Sequence, residues 1–264
     1  MKSKPRQGWG TAAQPDQHYL IQPRALAGGG DIRHVSEFLR ASGWRDRSEK
    51  RGPLFMESPD RTIRLFYDPH VQPGGWTISG AARGHQAAWN AVLGSQTPVE
   101  ILAGLTDALT QPLSAHAPDV WAPLRHQHWS TTYRAGQFTA ESPDGTSWMQ
   151  FHEDPPAPPV WWSGAGDQQG NGWTATFTAT TPMHLVQAFT TALASPQPVM
   201  RPRGRIPHSA QIRTTSVSVL PSQLAAWQQA RIQAARAAVW DRNWIAGSPR
   251  TTPRPNAAGH RARR

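Results

Sequence analysis

Serine and aspartate stand two residues apart in Glu57-Ser58-Pro59-Asp60, and again in Glu141-Ser142-Pro143-Asp144. A nucleophilic serine needs a base to take its proton, and no histidine recurs at matching positions around the two stretches. A tight turn needs other things. Proline at the second position has its φ preset, Ser and Asp are favoured turn residues, and glycine is preferred at the fourth, where Gly145 stands. Ser-Pro-Asp therefore reads as a hairpin turn.

The other chemistry-bearing clusters are weaker. His126, His128, His152 and His184 gather in the later half, near Glu153 and Asp154. A metal would need these ligands to converge, and the one close pair, His126-x-His128, points different ways from a helix end. Gly28-Gly29-Gly30 between a strand and a helix resembles a phosphate cradle, but lacks the Gly-x-Gly-x-x-Gly spacing, a following Lys-Ser/Thr and a β-α-β context. It reads as a flexible helix entry. With no cysteine there is no disulfide, thiolate metal site or cysteine nucleophile. No catalytic, metal or cofactor residue is assigned, and the chain reads as non-enzymatic.

Two adjacent tryptophans, Trp161 and Trp162, pose a packing question. Neighbouring strand residues point to opposite faces; one ring can enter the core, and the other must be covered by the partner copy of the repeat, a helix, or something bound from outside. Both are candidate interaction residues.

The formal charge of +10 lies at the ends of the chain. Residues 201–264 hold twelve arginines and one acid (+11), residues 1–30 carry +3, and residues 31–200 carry −4. Basicity is thus a property of the tails. The last tail is expected to hold a helix over about 221–244, with Leu224, Trp227, Arg231, Ala234 and Ala238 near one face, then a disordered end. Arg231, Arg236 and Arg242 are the candidate contacts, to nucleic acid or an acidic membrane; a solvated tail is the alternative. No window approaches a membrane span of about 20 apolar residues, so a cytoplasmic location is expected.

These residues sit on a repeat. At an offset of 84, Glu57-Ser58-Pro59-Asp60 aligns with Glu141-Ser142-Pro143-Asp144, Trp89 with Trp173, and Thr97-Pro98 with Thr181-Pro182; Leu65/Met149 and Tyr67/Phe151 keep apolar character. Each copy predicts a short helix capped by Asp31 or Asp119, strands around the Ser-Pro-Asp turn, two further strands, and a closing helix. In "TPVEILAGLTDAL", Thr97 is the expected N-cap, Pro98 the first helical residue and Glu100 the partner in a capping box. The expected class is α+β: two tandem α-β-β-β-β-α repeats, each an antiparallel sheet backed by helices. The boundaries are 1–17 (disordered), 18–110 (first repeat), 111–118 (linker), 119–200 (second repeat) and 201–264 (basic tail).

The opening "HYLIQPRALAGGGD", the Ser-Pro-Asp turn leading into "RLFYDP", "TPVEILAGLTDAL" and its echo "TPMHLVQAFTTALA" resemble the actinobacterial SPDY-domain family, named for Ser, Pro, Asp and Tyr. The resemblance covers about residues 18–200. It implies a tandem pair of domains in an intracellular protein with no established activity, substrate or cofactor. Tyr67 stands near the tyrosine in the first copy, but Phe151 takes its place in the second. The function expected is a non-catalytic module that binds a protein partner; the alternative is a nucleic-acid-associated regulator acting through the arginine tail.

Overall fold

A computed structural model describes residues 14–70, 75–112, 116–153 and 156–247, with side chains through Val239 in the last helix. The first copy runs α1 (Arg33–Ala41), β2 (Arg45–Asp46), β3 (Leu54–Glu57), β4 (Ile63–Asp68), β5 (Gly75–Gly80), β6 (Trp89–Gly94) and α2 (Val99–Ala108). The second runs α3 (Ala122–His126), β7 (Ser130–Arg134), β8 (Gln137–Glu141), β9 (Ser147–His152), β10 (Val160–Gly166), β11 (Gly172–Thr178) and α4 (Met183–Leu193). Each copy thus has five strands where four were expected. The additions, β2 and β7, are edge strands whose residues are all exposed, so no apolar alternation announced them.

Instead of two separate sheets, the copies form one. β6 pairs antiparallel with β11, giving a ten-stranded order β2-β3-β4-β5-β6-β11-β10-β9-β8-β7. One face carries Met56, Leu65, Trp76, Ile78, Ala91, Leu93, Ala175, Phe177, Trp161, Met149 and Ala140, all buried in a core that also takes Val35, Leu39, Leu102, Leu124 and Val186 from the helices. The helix layer is joined as tightly as the sheet. α2 packs on α4 so closely that a Cβ on Gly104 would stand 2.5 Å from the Ala192 Cβ, so this crossing requires glycine.

A second, three-stranded sheet has the order β12-β1-β13, from β1 (Asp16–Gln22), β12 (Val199–Pro202) and β13 (Arg213–Val219). Two residues of the expected disordered start, Asp16 and Gln17, begin β1, whose remainder lies in the expected first repeat, and β13 lies within the expected basic tail. The physical reason is long-range pairing: β1 and β13 match over seven residues, from Asp16↔Val219 to Gln22↔Arg213. After them comes α5 (Pro221–Gly247), beside α1. No helix among the described residues is long and apolar enough to cross a membrane.

The Ser-Pro-Asp segments build the same turn twice. Ser58 N–H donates to the Ile63 carbonyl and Ile63 N–H to Ser58 Oγ, each at 2.9 Å; Ser142 and Ser147 repeat both bonds at 2.9 Å. The serine hydroxyl donates to Asp60 Oδ1 at 2.8 Å, or to Asp144 Oδ1 at 2.6 Å, and the same oxygen accepts from the Thr62 or Thr146 hydroxyl at 2.8 Å. Serine and aspartate are thereby committed to the hairpin. The fourth turn residue is left-handed in both copies, Arg61 at φ 61° and Gly145 at φ 68°. Only glycine takes that conformation without strain. Arg61→Gly should therefore raise the stability of the protein by about 0.5 kcal/mol and Gly145→Ala lower it by about 1 kcal/mol, read as opposite shifts in the denaturant midpoint at unchanged slope.

Candidate functional site

Three surfaces were built from the predicted residues and their neighbours. The first is the sheet face turned away from the helices. Trp161 enters the core, with Phe151 at 4.5 Å and Trp121 at 5.5 Å between ring centres. Trp162 points the other way and is 46% exposed, its ring 5.5 Å from that of His152. The first copy does not cover it, because the copies meet edge to edge. Cross-strand pairing places Phe55, Phe66, Thr77, Val92, Thr176, Trp162 and Gln150 in one row over this face. Phe66, at 39% exposure, is the second large apolar group in the row.

The second surface is the tail helix. Arg231 is not a free contact. Its Nη2 donates to Asp107 Oδ1 and its Nη1 to the His34 carbonyl, both at 2.6 Å, and its guanidinium lies 4.2 Å from the centre of the Phe38 ring. Gln228 bonds Glu37 on α1, and Ala235 is buried. The docked face is therefore 228, 231 and 235, with Ala234 and Ala238 of the expected stripe exposed. Trp227 stands 58% exposed and Arg236 faces solvent; the Arg242 side chain lies outside the described residues.

The third surface is a cavity of about 680 Å³ where both copies and both terminal segments meet. Gly28–Gly30 and Arg205–Ser209 come from the ends, Tyr67 and Gln96 from the first copy, Asp167, Asn171 and Trp173 from the second. One buried ion pair holds its glycine wall. Arg201, whose side chain is 4% exposed, donates Nη1 to Glu100 Oε1 at 2.6 Å and Nη2 to Glu100 Oε2 at 2.8 Å. Its remaining donors reach the Ala27, Gly28 and Met200 carbonyls at 3.1, 2.9 and 3.0 Å. All five N–H groups of the guanidinium are used.

This pair overturns the expected capping box. Glu100 turns to Arg201, and Pro98, extended at ψ 130°, is the N-cap of α2 in place of Thr97. The Thr97 hydroxyl is buried with no partner among the described residues, while Val99 N–H at the helix start donates to the Gly29 carbonyl at 2.9 Å. The N-caps of α1 and α3 are Ile32 and Trp121 rather than the expected Asp31 and Asp119, and no side chain caps either helix; the two aspartates stand just before the helices, where Asp31 Oδ1 accepts from Arg33 N–H and Asp119 Oδ1 from Trp121 N–H, each at 2.9 Å.

Asp167 and His208 both line the cavity, the residue types an acid–base pair would use. Their arrangement is different. Asp167 Oδ1 accepts from Asn171 N–H at 2.8 Å and Gln169 N–H at 3.0 Å, and Oδ2 from Asn171 Nδ2 at 3.0 Å. The Asn171 side-chain bond is the main cause holding this carboxyl below the ordinary carboxylate range. Asn171 Nδ2 also reaches the His208 backbone carbonyl at 3.2 Å and the Ser209 side chain bonds the Asp167 carboxylate, so the contact between the segments does not involve the imidazole. No three His, Asp or Glu side chains among the described residues converge on a metal position. The cavity residues carried little sequence signal, because they come from segments far apart in the chain.

Against known proteins, the model of the SPDY family, a domain of unknown function (DUF317), matches residues 57–115 and 141–199. Each match begins at the glutamate entering a Ser-Pro-Asp turn and takes in three strands and the closing helix, α2 or α4. The chain therefore carries two tandem matches to this domain, while α1, α3, α5 and most of the small sheet lie outside them. No curated protein and no solved structure matches the chain.

Burial pushes the Glu100 carboxyl up, but the Arg201 guanidinium outweighs it and holds the group below its ordinary range. A carboxyl lowered on folding stabilises the protein above its unfolded pKa of about 4.3, and that contribution is lost as pH falls through the folded value. Glu100→Gln leaves a buried guanidinium unpaired and should cost about 3 kcal/mol at pH 7. Denaturant titrations over a pH series should show the gap between wild type and variant flat above about pH 5 and narrowing below it.

Proposed function

We propose that the protein is a non-catalytic interaction module that receives a folded protein partner on the open face of its ten-stranded sheet. The observation that carries this reading is the row Phe55–Phe66–Thr77–Val92–Thr176–Trp162, which crosses both copies without a covering layer of described residues. Three aromatic groups, Phe55 and Phe66 at one end and Trp162 at the other, flank a shallow strip of smaller side chains and resemble the anchors and surround of a protein interface. Ten strands spaced about 4.8 Å and about 20 Å long present roughly 900 Å², close to the ~800 Å² each partner gives to a standard complex.

Charge selects the class of partner. The paired strands turn Arg45, Arg64 and Arg134 to this face together with Glu57, Asp68 and Glu141, three of each sign. A phosphate backbone meets no net positive field there. Arg201 and Arg231 are engaged in internal ion pairs, which removes them from the basic surface on which a nucleic-acid reading rests.

A photo-cross-linking residue at Thr176, in the middle of the row, should capture one protein in cells that make this chain. The purified pair should then reassemble one to one, with affinity at least tenfold weaker for Trp162→Ala, on the order of 1.4 kcal/mol, and unchanged for Arg236→Gln. Binding by the purified partner that ignores Trp162→Ala would reject the reading, as would self-association of the chain alone that protects this face from hydrogen exchange.

A further inference from the structure

The glycine wall of the cavity between the copies presents backbone donors without partners, and the cause can be traced bond by bond. Three consecutive glycines form part of its wall. Two of their three acceptors are engaged, as is the one before them: the Gly28 carbonyl takes Arg201 Nη2, the Gly29 carbonyl takes Val99 N–H, and the preceding Ala27 carbonyl takes Arg201 Nε. Their donors are not. The N–H groups of Gly28, Gly29 and Gly30 have no hydrogen-bond partner among the described residues, and the glycines are only half-buried.

Side chains continue the pattern. Tyr67 and the exposed Arg205 line the same cavity; among the described residues neither side chain makes a hydrogen bond, and the Arg205 charge acts on Asp31 without a close ion pair. The one carboxylate of the wall, Asp167, has its oxygens engaged by the turn it closes. Three amides, a phenol and a guanidinium supply more donors than the roughly four lone-pair positions of a carboxylate can accept. A phosphate offers three oxygens and suits both a glycine backbone and an arginine. Trp173 and the Tyr67 ring, stacked 4.1 Å from Trp76, give an apolar wall for an organic remainder. The volume, about 680 Å³, is that of a small-molecule site.

From this juxtaposition we infer that the interlobe cavity is a binding site for a small phosphomonoester, with the phosphate held by the Gly28–Gly30 amides, Arg205 and Tyr67. No nucleotide-loop motif is involved: the glycines present donors because Arg201 and the start of α2 hold their carbonyls. The site is independent of the open sheet face, and either can fail without the other.

The test uses the full chain labelled with ¹⁵N. Glycerol 3-phosphate, succinate, inorganic phosphate and glycerol are titrated while the amide resonances of Gly28, Gly29 and Gly30 are followed. The phosphomonoester should shift all three saturably and bind more tightly than succinate, with inorganic phosphate weaker for lack of the organic part and glycerol inert. Arg205→Gln should weaken binding about tenfold or more and Tyr67→Phe about threefold to tenfold. Tyr67→Phe keeps the ring on Trp76, Arg205 is exposed, and Arg213→Gln on β13 should change nothing. The inference is overturned if the glycine amides do not respond to millimolar phosphomonoester, if succinate binds equally well, or if Arg205→Gln leaves the affinity intact.

Discussion

Arg201 is the fastener on which the terminal parts of this fold depend. It sits on β12, its carboxylate partner is on the first turn of α2, and two of its carbonyl partners belong to the chain leaving β1. One side chain therefore ties the three-stranded sheet, the glycine segment and the helix layer together. A buried ion pair is seldom more stabilising than apolar side chains of the same size, so its importance here is geometric. A guanidinium whose five donors are all engaged fixes five acceptors at once, and a shift of any connected segment would leave a buried polar group unpaired. The apolar contents of this corner are small, Ile21, Ala27 and Val199, too few to set the position of the strands alone.

The second constraint is the joint between the repeats. A β-sheet left with a long open edge invites unwanted pairing, and each repeat alone would expose β6 or β11. Pairing these strands with each other removes both edges and leaves β2, only two residues long, and β7 at the outside. The same joint makes the helices meet, which is why Gly104 faces Ala188 and Ala192 at a separation no side chain allows. A continuous sheet has two consequences for binding: one face becomes a core shared by all four repeat helices, and the other becomes a single surface wider than either copy could offer.

Much of this framework was legible in the chain. The Ser-Pro-Asp turns, the alternation of Trp173, Ala175 and Phe177, the closing helices, and the opposite destinations of Trp161 and Trp162 all follow from local periodicity and turn chemistry. What was not legible depends on partners distant in sequence. "RTTSVSV" in β13 has no inward and outward alternation strong enough to mark a strand, and it becomes one only against β1, nearly two hundred residues earlier. Glu100 fits a capping box by spacing, yet a fully buried arginine is a stronger partner than a backbone amide. The tail helix was read by its apolar stripe, while its docking is dominated by Arg231, whose charge hid it among surface residues.

The two copies also act as internal controls for each other. Where the fold makes the same demand twice it takes the same residue types: serine and aspartate in both turns, threonine and proline before both closing helices, tryptophan as the first residue of β6 and the second of β11. Departures from this symmetry are informative because the shared framework does not require them. Tyr67, which lines the cavity, corresponds to Phe151, whose ring packs on Trp161 at the edge of the core. Trp162, exposed on the open face, corresponds by strand register to Thr77, since Trp161 faces Phe151 as Trp76 faces Tyr67. Both departures lie where the shared framework makes no demand, one at the cavity and one on the open face. The repeat fixes the scaffold, and the positions where it breaks are the ones at which the two copies present different side chains.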